Sequence, residues 1–173
     1  MSLLAVTVLG HDRPGIVAET TAALARLGGN LEDSTMTLLR GHFAMLLLVQ
    51  TDASVADVEA ELAGLGADGR LSVDVRPVPD AATPTVPMAA THVLSVHGAD
   101  RPGIVGGLTG VVAAAGGNVT DLTTRLAGGL YVLLAEVQLG PSCDVAALEQ
   151  QLRDEAERLG VDVSLRLLDT DEL

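Results

Sequence analysis

Positive charge is scarce in this chain of 173 residues, which contains no lysine and ten arginines and has a formal net charge of −13. Binding to DNA or RNA needs clustered lysine and arginine, and the ten arginines form no run. We therefore predict that the protein does not contact nucleic acid directly. Anionic membrane surfaces are disfavoured for the same reason.

Cysteine and aromatic residues are almost absent. The single cysteine, Cys143, excludes an internal disulfide and a cysteine-based zinc site, and we expect a cytoplasmic protein. The first ten residues carry no positive charge and too short an apolar run for a signal peptide, and no apolar run approaches the length of a membrane span. Because aromatic residues make up only 1% of the chain, the core must consist of Leu, Val, Ile, Met and Ala.

One eight-residue phrase occurs twice. Gly10–Val17 reads GHDRPGIV and Gly98–Val105 reads GADRPGIV. When residue 10 is aligned with residue 98, the second half aligns without a gap with about Val6–Val49 of the first half, and GGNVTD aligns with GGNLED. A repeat of this length indicates duplication of a whole domain, and its period is too long for a solenoid unit.

A proline-rich segment separates the halves. Residues 77–90 read PVPDAATPTVPMAA, with four prolines and no hydrophobic periodicity, as is typical of a semi-extended linker. We predict a first domain at 1–77, a linker at 78–90, a second domain at 91–168 and an acidic tail at 169–173.

Both halves predict the same order of elements. Buried strands at Leu3–Leu9 and Thr91–His97 precede helices at Pro14–Leu27 and Pro102–Ala115, whose apolar residues recur at helical spacing. A β-hairpin follows in each half and is predicted to turn at Arg40-Gly41 in the first and at Gly128-Gly129 in the second. A second amphipathic helix and a strand of alternating pattern complete each half. The order β-α-β-β-α-β, found twice, predicts an α+β protein of two ferredoxin-like domains, each an antiparallel sheet with both helices on one face.

The third predicted strand of each half is unusually apolar. Phe43–Val49 is an unbroken apolar run, and Leu130–Ala135 is nearly one. Continuous runs indicate burial on both faces, yet the helices cover only one. We expect the sister domain or a second chain to cover the other face and predict a homo-oligomer, such as a dimer; the alternative is a central strand that is simply rich in apolar residues.

The repeated phrase lies between the first strand and the first helix. Pro14 near the helix start holds Arg13 out of the helical region, and Asp12 is predicted to cap the first-turn N–H groups. Gly15 removes a side chain where a backbone or ligand can approach. The phrase is therefore either a well-capped helix start or a carboxylate site at a helix N-terminus.

An asparagine follows the other end of the same helix in both halves. Asn30 and Asn118 stand in the motif G-G-N, where the glycines stop the helix by adopting the left-handed conformation. Each asparagine either starts a strand or offers its amide to a ligand when a partner domain brings it near a loop.

A β-α-β-β-α-β unit that opens with G-x-D-R-P-G-I-V and continues through a helix to G-G-N resembles the ACT domain, a small regulatory module that binds amino acids at interfaces between paired domains. Two such units with nothing else resemble the glycine cleavage system transcriptional repressor family, and the resemblance covers nearly the whole chain. It implies a non-enzymatic regulator without a cofactor that binds a small amino acid, glycine or serine, and controls a protein partner such as a transcription factor. The alternative is a ligand-free dimerisation module.

The resemblance also implies which residues contact the ligand, namely the two loops and the two asparagines. These are Gly10, His11, Asp12, Arg13, Pro14, Gly15, Ile16 and Asn30 in the first half, and Gly98, Ala99, Asp100, Arg101, Pro102, Gly103, Ile104 and Asn118 in the second. The halves differ at His11 against Ala99, at Glu32 against Thr120 and at Arg40 against Gly128. Either both loops bind, or one half binds and the other serves only as a scaffold.

No catalytic or metal site is predicted. The four histidines, His11, His42, His92 and His97, are scattered along the chain, and none forms an HxH or HxxxH pair with acidic partners, which disfavours a metal site. His92 and His97 lie five residues apart on one strand and should point to opposite faces. No Ser-His-Asp arrangement or phosphate-binding motif is present.

Overall fold

The computed structural model describes residues 2–79 and 90–168. These residues fall into two compact units, one on each side of the gap. The predicted linker at 78–90 lies almost entirely outside the described residues, and the predicted acidic tail at 169–173 lies wholly outside them. The exact domain boundaries therefore stay predictions.

Both units contain four strands and two α-helices in the predicted order. The first unit consists of β1 (Ser2–His11), α1 (Ile16–Arg26), β2 (Asn30–Leu39), β3 (His42–Thr51), α2 (Val55–Leu62), a 3-10 helix (Ala63–Gly66) and β4 (Leu71–Pro77). The second consists of β5 (Ala90–Ala99), α3 (Ile104–Ala114), β6 (Asn118–Ala127), β7 (Leu130–Leu139), α4 (Val145–Leu159) and β8 (Val161–Leu167).

The strands form two antiparallel sheets with the same order, β2-β3-β1-β4 and β6-β7-β5-β8. The ferredoxin-like α+β prediction is thus confirmed for each unit. In both sheets the first strand of the unit is central, so the loop that leaves it lies between two neighbouring strands. This topology places the repeated phrase at one end of the sheet, next to the two strands that flank the central one.

Each hairpin turns through two consecutive residues of positive φ, and in the first hairpin one of them is Arg40, a residue type that rarely adopts this conformation. Arg40 and Gly41 have φ of 49° and 83°, and Gly128 and Gly129 have φ of 59° and 85°. Two consecutive positive φ values are the mark of the two-residue turn that matches the twist of a β-hairpin. The predicted turn positions are confirmed, and they fix the register of β2 on β3.

One face of each sheet packs on the helices and encloses an almost purely aliphatic core. On β3 the side chains alternate, since Phe43 and Leu47 are buried whereas Leu46 is 42% exposed. On β7 Leu133 is buried and Leu134 is 48% exposed. The helices therefore cover a single face, and the cover predicted for the other face stays a prediction.

The helices begin later than predicted. The prolines lie before the first helical turn, and the helices start at Ile16 and Ile104, whose side chains are each 2% exposed. At the other end Gly28 has φ of 68° and Gly116 has φ of 76°, as predicted for glycines that stop a helix. Within residues 2–79 and 90–168, no helix combines the length and apolar character needed to cross a bilayer.

Candidate ligand-binding site

The start of the repeated phrase is fixed by the backbone of neighbouring segments. The His11 N–H donates to the Arg70 carbonyl at 3.0 Å, and the Asp12 N–H donates to the Gly41 carbonyl at 3.0 Å. A Cβ at Gly10 would collide with the same Arg70 carbonyl oxygen. The first loop is thereby held between the β2–β3 turn and the residue that precedes β4.

The predicted cap at Asp12 is wrong. The N-cap residues are Gly15 and Gly103, with left-handed φ of 94° and 93°, and neither helix start has a side-chain cap. A residue three positions before the N-cap stands too early to reach the first-turn N–H groups, and the positive φ at the N-cap itself favours glycine over a capping side chain. In both units those N–H groups keep their capacity to bind an anion.

In the first unit the loop arginine already holds a carboxylate. Nη1 and Nη2 of Arg13 each donate to one carboxylate oxygen of Glu19 at 2.7 Å. The hydrogen bonds lower the pKa of Glu19 and raise the pKa of Arg13. Oε1 of Glu19 lies 3.1 Å from the position of a Cβ at Gly15. An internal carboxylate therefore stands beside the start of α1.

In the second unit the equivalent carboxylate is missing, because the residue that aligns with Glu19 is Gly107. Among the residues that the structure describes, Arg101 has neither a hydrogen bond nor an ion pair. The nearest acidic group to Gly107 is Glu155, which binds Arg158 at 2.6 and 2.8 Å, and these bonds lower its pKa. The second loop thus presents an exposed guanidinium that has no carboxylate partner among the described residues.

A second difference explains where Arg101 lies. Gly10 pairs with Leu71 in the first sheet, and Gly98 pairs with Val161 in the second. The residue before the last strand is therefore arginine in the first unit and Gly160 in the second. Nη1 of Arg101 lies 2.7 Å from the position of a Cβ at Gly160, so a side chain at position 160 would have to displace this guanidinium.

The predicted asparagines lie far from the loops of their own units. Asn30 pairs with Gln50, which pairs with Leu3, and the loop begins seven residues later, about 23 Å along the strand at 3.3 Å per residue. Asn118 has the same placement. An asparagine can meet a loop ligand only from another unit or another chain, as the sequence suggested, and this contact stays a prediction.

The other predicted loop residues fall into two groups. Ile16 and Ile104 belong to the core clusters, so they attach the helix start to its sheet, and their side chains do not face an open site. The prolines, Asp12, Asp100 and Ala99 are exposed. The exposed residues therefore lie in the same loops as the uncapped N–H groups of the two helix starts.

Sequence reasoning missed that the two loops differ in charge. Both loops carry Asp-Arg-Pro-Gly. Their surroundings differ six residues after the arginine, where Glu19 aligns with Gly107, and just before the last strand, where Arg70 corresponds to Gly160. The replacement of Glu19 by Gly107 is visible when GIVAET is aligned with GIVGGL. The correspondence of Arg70 with Gly160 depends on the register of the sheet, which the sequence does not display.

Two of the four histidines, scattered in the sequence, meet in the folded unit, so the expectation of four separate histidines is wrong for this pair. Because β1 pairs with β3 in antiparallel register, His11 stands opposite His42, and their ring centroids are 5.3 Å apart with planes tilted by 33°. His92 is buried, whereas His97 is exposed and lies 3.4 Å from Asp162. The prediction that these last two face opposite ways is confirmed.

Comparison with protein families gives one match that covers most of the chain. The ACT domain family model matches residues 2–76 and again residues 91–166. The two matches fall on the two units, with the candidate loop near the start of each.

Individual relatives agree with this match. The chain is 27% identical to the glycine cleavage system transcriptional repressor of Escherichia coli over 172 residues, 95% of this chain and 90% of that protein. It is 45% identical to a UPF0237 protein of Methanopyrus kandleri over 78 residues, 43% of this chain and 84% of that protein. A crystal structure of an unknown protein from Galdieria sulphuraria has a TM-score of 0.82 and 28% identity, covering 97% of this chain and 99% of that one.

Proposed function

The chain belongs to the ACT domain family, and we propose that it is a cytoplasmic, non-enzymatic regulatory protein that binds a small amino acid and controls a partner protein. Support comes from the double family match and from the relative of nearly equal length that is named a transcriptional repressor. That relative is named for the glycine cleavage system, so glycine or serine is the ligand we propose.

The ligand carboxylate binds the loop of the second unit, Gly98–Ile104. Here the N–H groups at the start of α3 have no side-chain cap, and Arg101 has no carboxylate partner among the described residues. A helix N-terminus stabilises an anion through its unpaired N–H groups and its dipole. A guanidinium next to it adds a charge-assisted, potentially bidentate hydrogen bond.

The loop of the first unit serves mainly as a scaffold. Glu19 already occupies Arg13, and its negative charge beside the helix start opposes a second carboxylate. This assigns different roles to the duplicated phrases and rests on the single observation that one loop arginine is paired and the other is not.

The ammonium group of the ligand needs an acceptor. Asp100 is exposed and is the nearest carboxylate in the second loop by sequence, so we assign it this role. An asparagine of a paired domain, Asn30 or Asn118, would close the site over the ligand. Binding would then favour the paired assembly, because a ligand shifts an equilibrium only towards the state that it binds more tightly.

The acidic composition of the chain supports a basic protein as the partner. A net charge of −13 complements a basic protein, such as a transcription factor, and opposes direct contact with DNA. One observation favours the alternative of a ligand-free interaction module, namely the exposed leucines of the β6–β7 hairpin, Leu122, Leu126, Leu130 and Leu134.

Calorimetry of the full chain against a panel of amino acids separates these proposals. We expect saturable binding of glycine or serine, and loss of binding when the ligand is a methyl ester, because the ester removes the carboxylate charge. The variant Gly103→Ala should weaken binding more than His11→Ala does, since alanine disfavours φ of 93°. Absence of heat for every amino acid at millimolar concentration would favour the interaction module.

A further inference from the structure

We propose that the first unit carries a transition-metal site that the second unit lacks, formed by His11 of β1 and His42 of β3. The ion it would take is a divalent cation that prefers imidazole, such as Ni²⁺ or Zn²⁺. The site is independent of the amino-acid site proposed above, which lies in the other unit.

The register of the sheet creates the pair. His11 and His42 are the last and first residues of adjacent antiparallel strands and stand directly opposite each other, so their Cβ atoms are about 5 Å apart. Both side chains are exposed, and neither forms a hydrogen bond or ion pair with a described residue. The two rings are therefore accessible to a solvent cation.

The spacing of the rings suits a shared ion. A metal–nitrogen bond is about 2.0–2.1 Å long, and two imidazoles on one tetrahedral ion then have centroids about 5 Å apart. The observed centroid distance is 5.3 Å, which agrees with the separation that a shared ion requires. No group of three or more metal-ligating side chains occurs in residues 2–79 and 90–168, and water would complete the coordination.

Electrostatics support a cation at this position. The net charge of −13 raises the local concentration of cations around the protein. Arg13, two residues from His11, is neutralised by Glu19. Arg40 lies in the turn beside His42 and opposes the cation, which keeps the affinity below that of a buried three-ligand site.

The second unit provides an internal comparison. Ala99 pairs with Leu130 at the same register position of the second sheet, so both imidazoles are replaced by side chains that bind no metal. The two units have thus diverged at one cross-strand pair as well as at the loop arginine. The one position that differs in the repeated phrase, His11 against Ala99, is half of this pair.

Titration of the chelator-treated full chain with Ni²⁺ and Zn²⁺ tests the proposal. We expect one ion per chain, with affinity reduced at least tenfold in His42→Leu and in His11→Ala, which copy the second unit. The control His97→Ala removes another exposed histidine and should bind as the wild type does. Undiminished affinity in His42→Leu, or an equal loss in His97→Ala, would overturn the proposal.

A gain-of-function variant tests the metal site in a way that does not depend on loss of binding, which misfolding could also cause. Ala99→His combined with Leu130→His places two imidazoles at the equivalent register, and the stoichiometry should rise from one ion per chain to two. A stoichiometry that stays at one would contradict the claim that the register alone builds the site. Amino-acid binding by His42→Leu in the presence of a chelator should equal that of the wild type, so the two proposals fail separately.

Discussion

Replacing Arg101 with alanine is expected to weaken binding of glycine or serine at least tenfold, whereas replacing Arg13 should change the affinity less than about twofold. A hydrogen bond to a charged group contributes about 1.5–3 kcal/mol, and about 1.4 kcal/mol corresponds to a factor of ten. Arg101 has no other carboxylate to bind in the described structure, whereas Arg13 is held by Glu19 at 2.7 Å. Calorimetry on both variants measures the difference.

The matched control for this prediction is Glu19→Gln. It breaks the internal ion pair of the first loop and leaves the second loop intact, so it should not weaken ligand binding. Unchanged circular dichroism would show that all three variants remain folded. A loss in Arg13→Ala equal to or larger than that in Arg101→Ala would contradict the assignment of the ligand to the second loop.

Gly10→Ala is expected to destabilise the first unit by about 3 kcal/mol or more, at the upper end of the usual cost of overpacking. The added methyl would meet the Arg70 carbonyl oxygen and lie 2.9 Å from Cα of Leu71. Both contacts are with backbone, which cannot rotate away, and the same carbonyl accepts the hydrogen bond from His11. Urea unfolding followed by circular dichroism measures the loss.

Gly64→Ala is the control for Gly10→Ala within the same unit. Its Cβ would meet nothing within 4 Å, and its φ is not positive, so the change should be neutral or stabilise by about 0.4–1 kcal/mol through the unfolded chain. Equal midpoints for the two variants would mean that the approach of Arg70 to Gly10 is relaxed in solution.

The fold was predictable because the local sequence pattern of each helix, strand and turn agreed with the order of elements that the duplication repeats. Helical spacing in α1, alternation in β4 and the two-residue turn at Arg40 and Gly41 each specified an element, and the duplication repeated every signal. The glycines at Gly28 and Gly116 marked helix ends by their conformational freedom. Such signals depend on a few neighbouring residues and are therefore visible in a sequence.

The site was predicted only in outline. The helix α1 begins at Ile16, directly after Gly15 in the left-handed conformation. Asp12 therefore stands too early in the chain to cap this helix. The pairing of Arg13 with Glu19 and the meeting of His11 with His42 depend on side-chain reach and on strand register across 31 positions. No short motif contains that information, and these features distinguish one unit from the other.

The assignment of the amino-acid site to the second loop is tested most directly by NMR of ¹⁵N-labelled protein titrated with glycine. The account predicts saturable shifts of the backbone amides of Gly103–Gly107 and of the Arg101 side chain, with the amides of Gly15–Glu19 unmoved. Shifts confined to Gly15–Glu19, or no shift in either loop at millimolar glycine and serine, would contradict it.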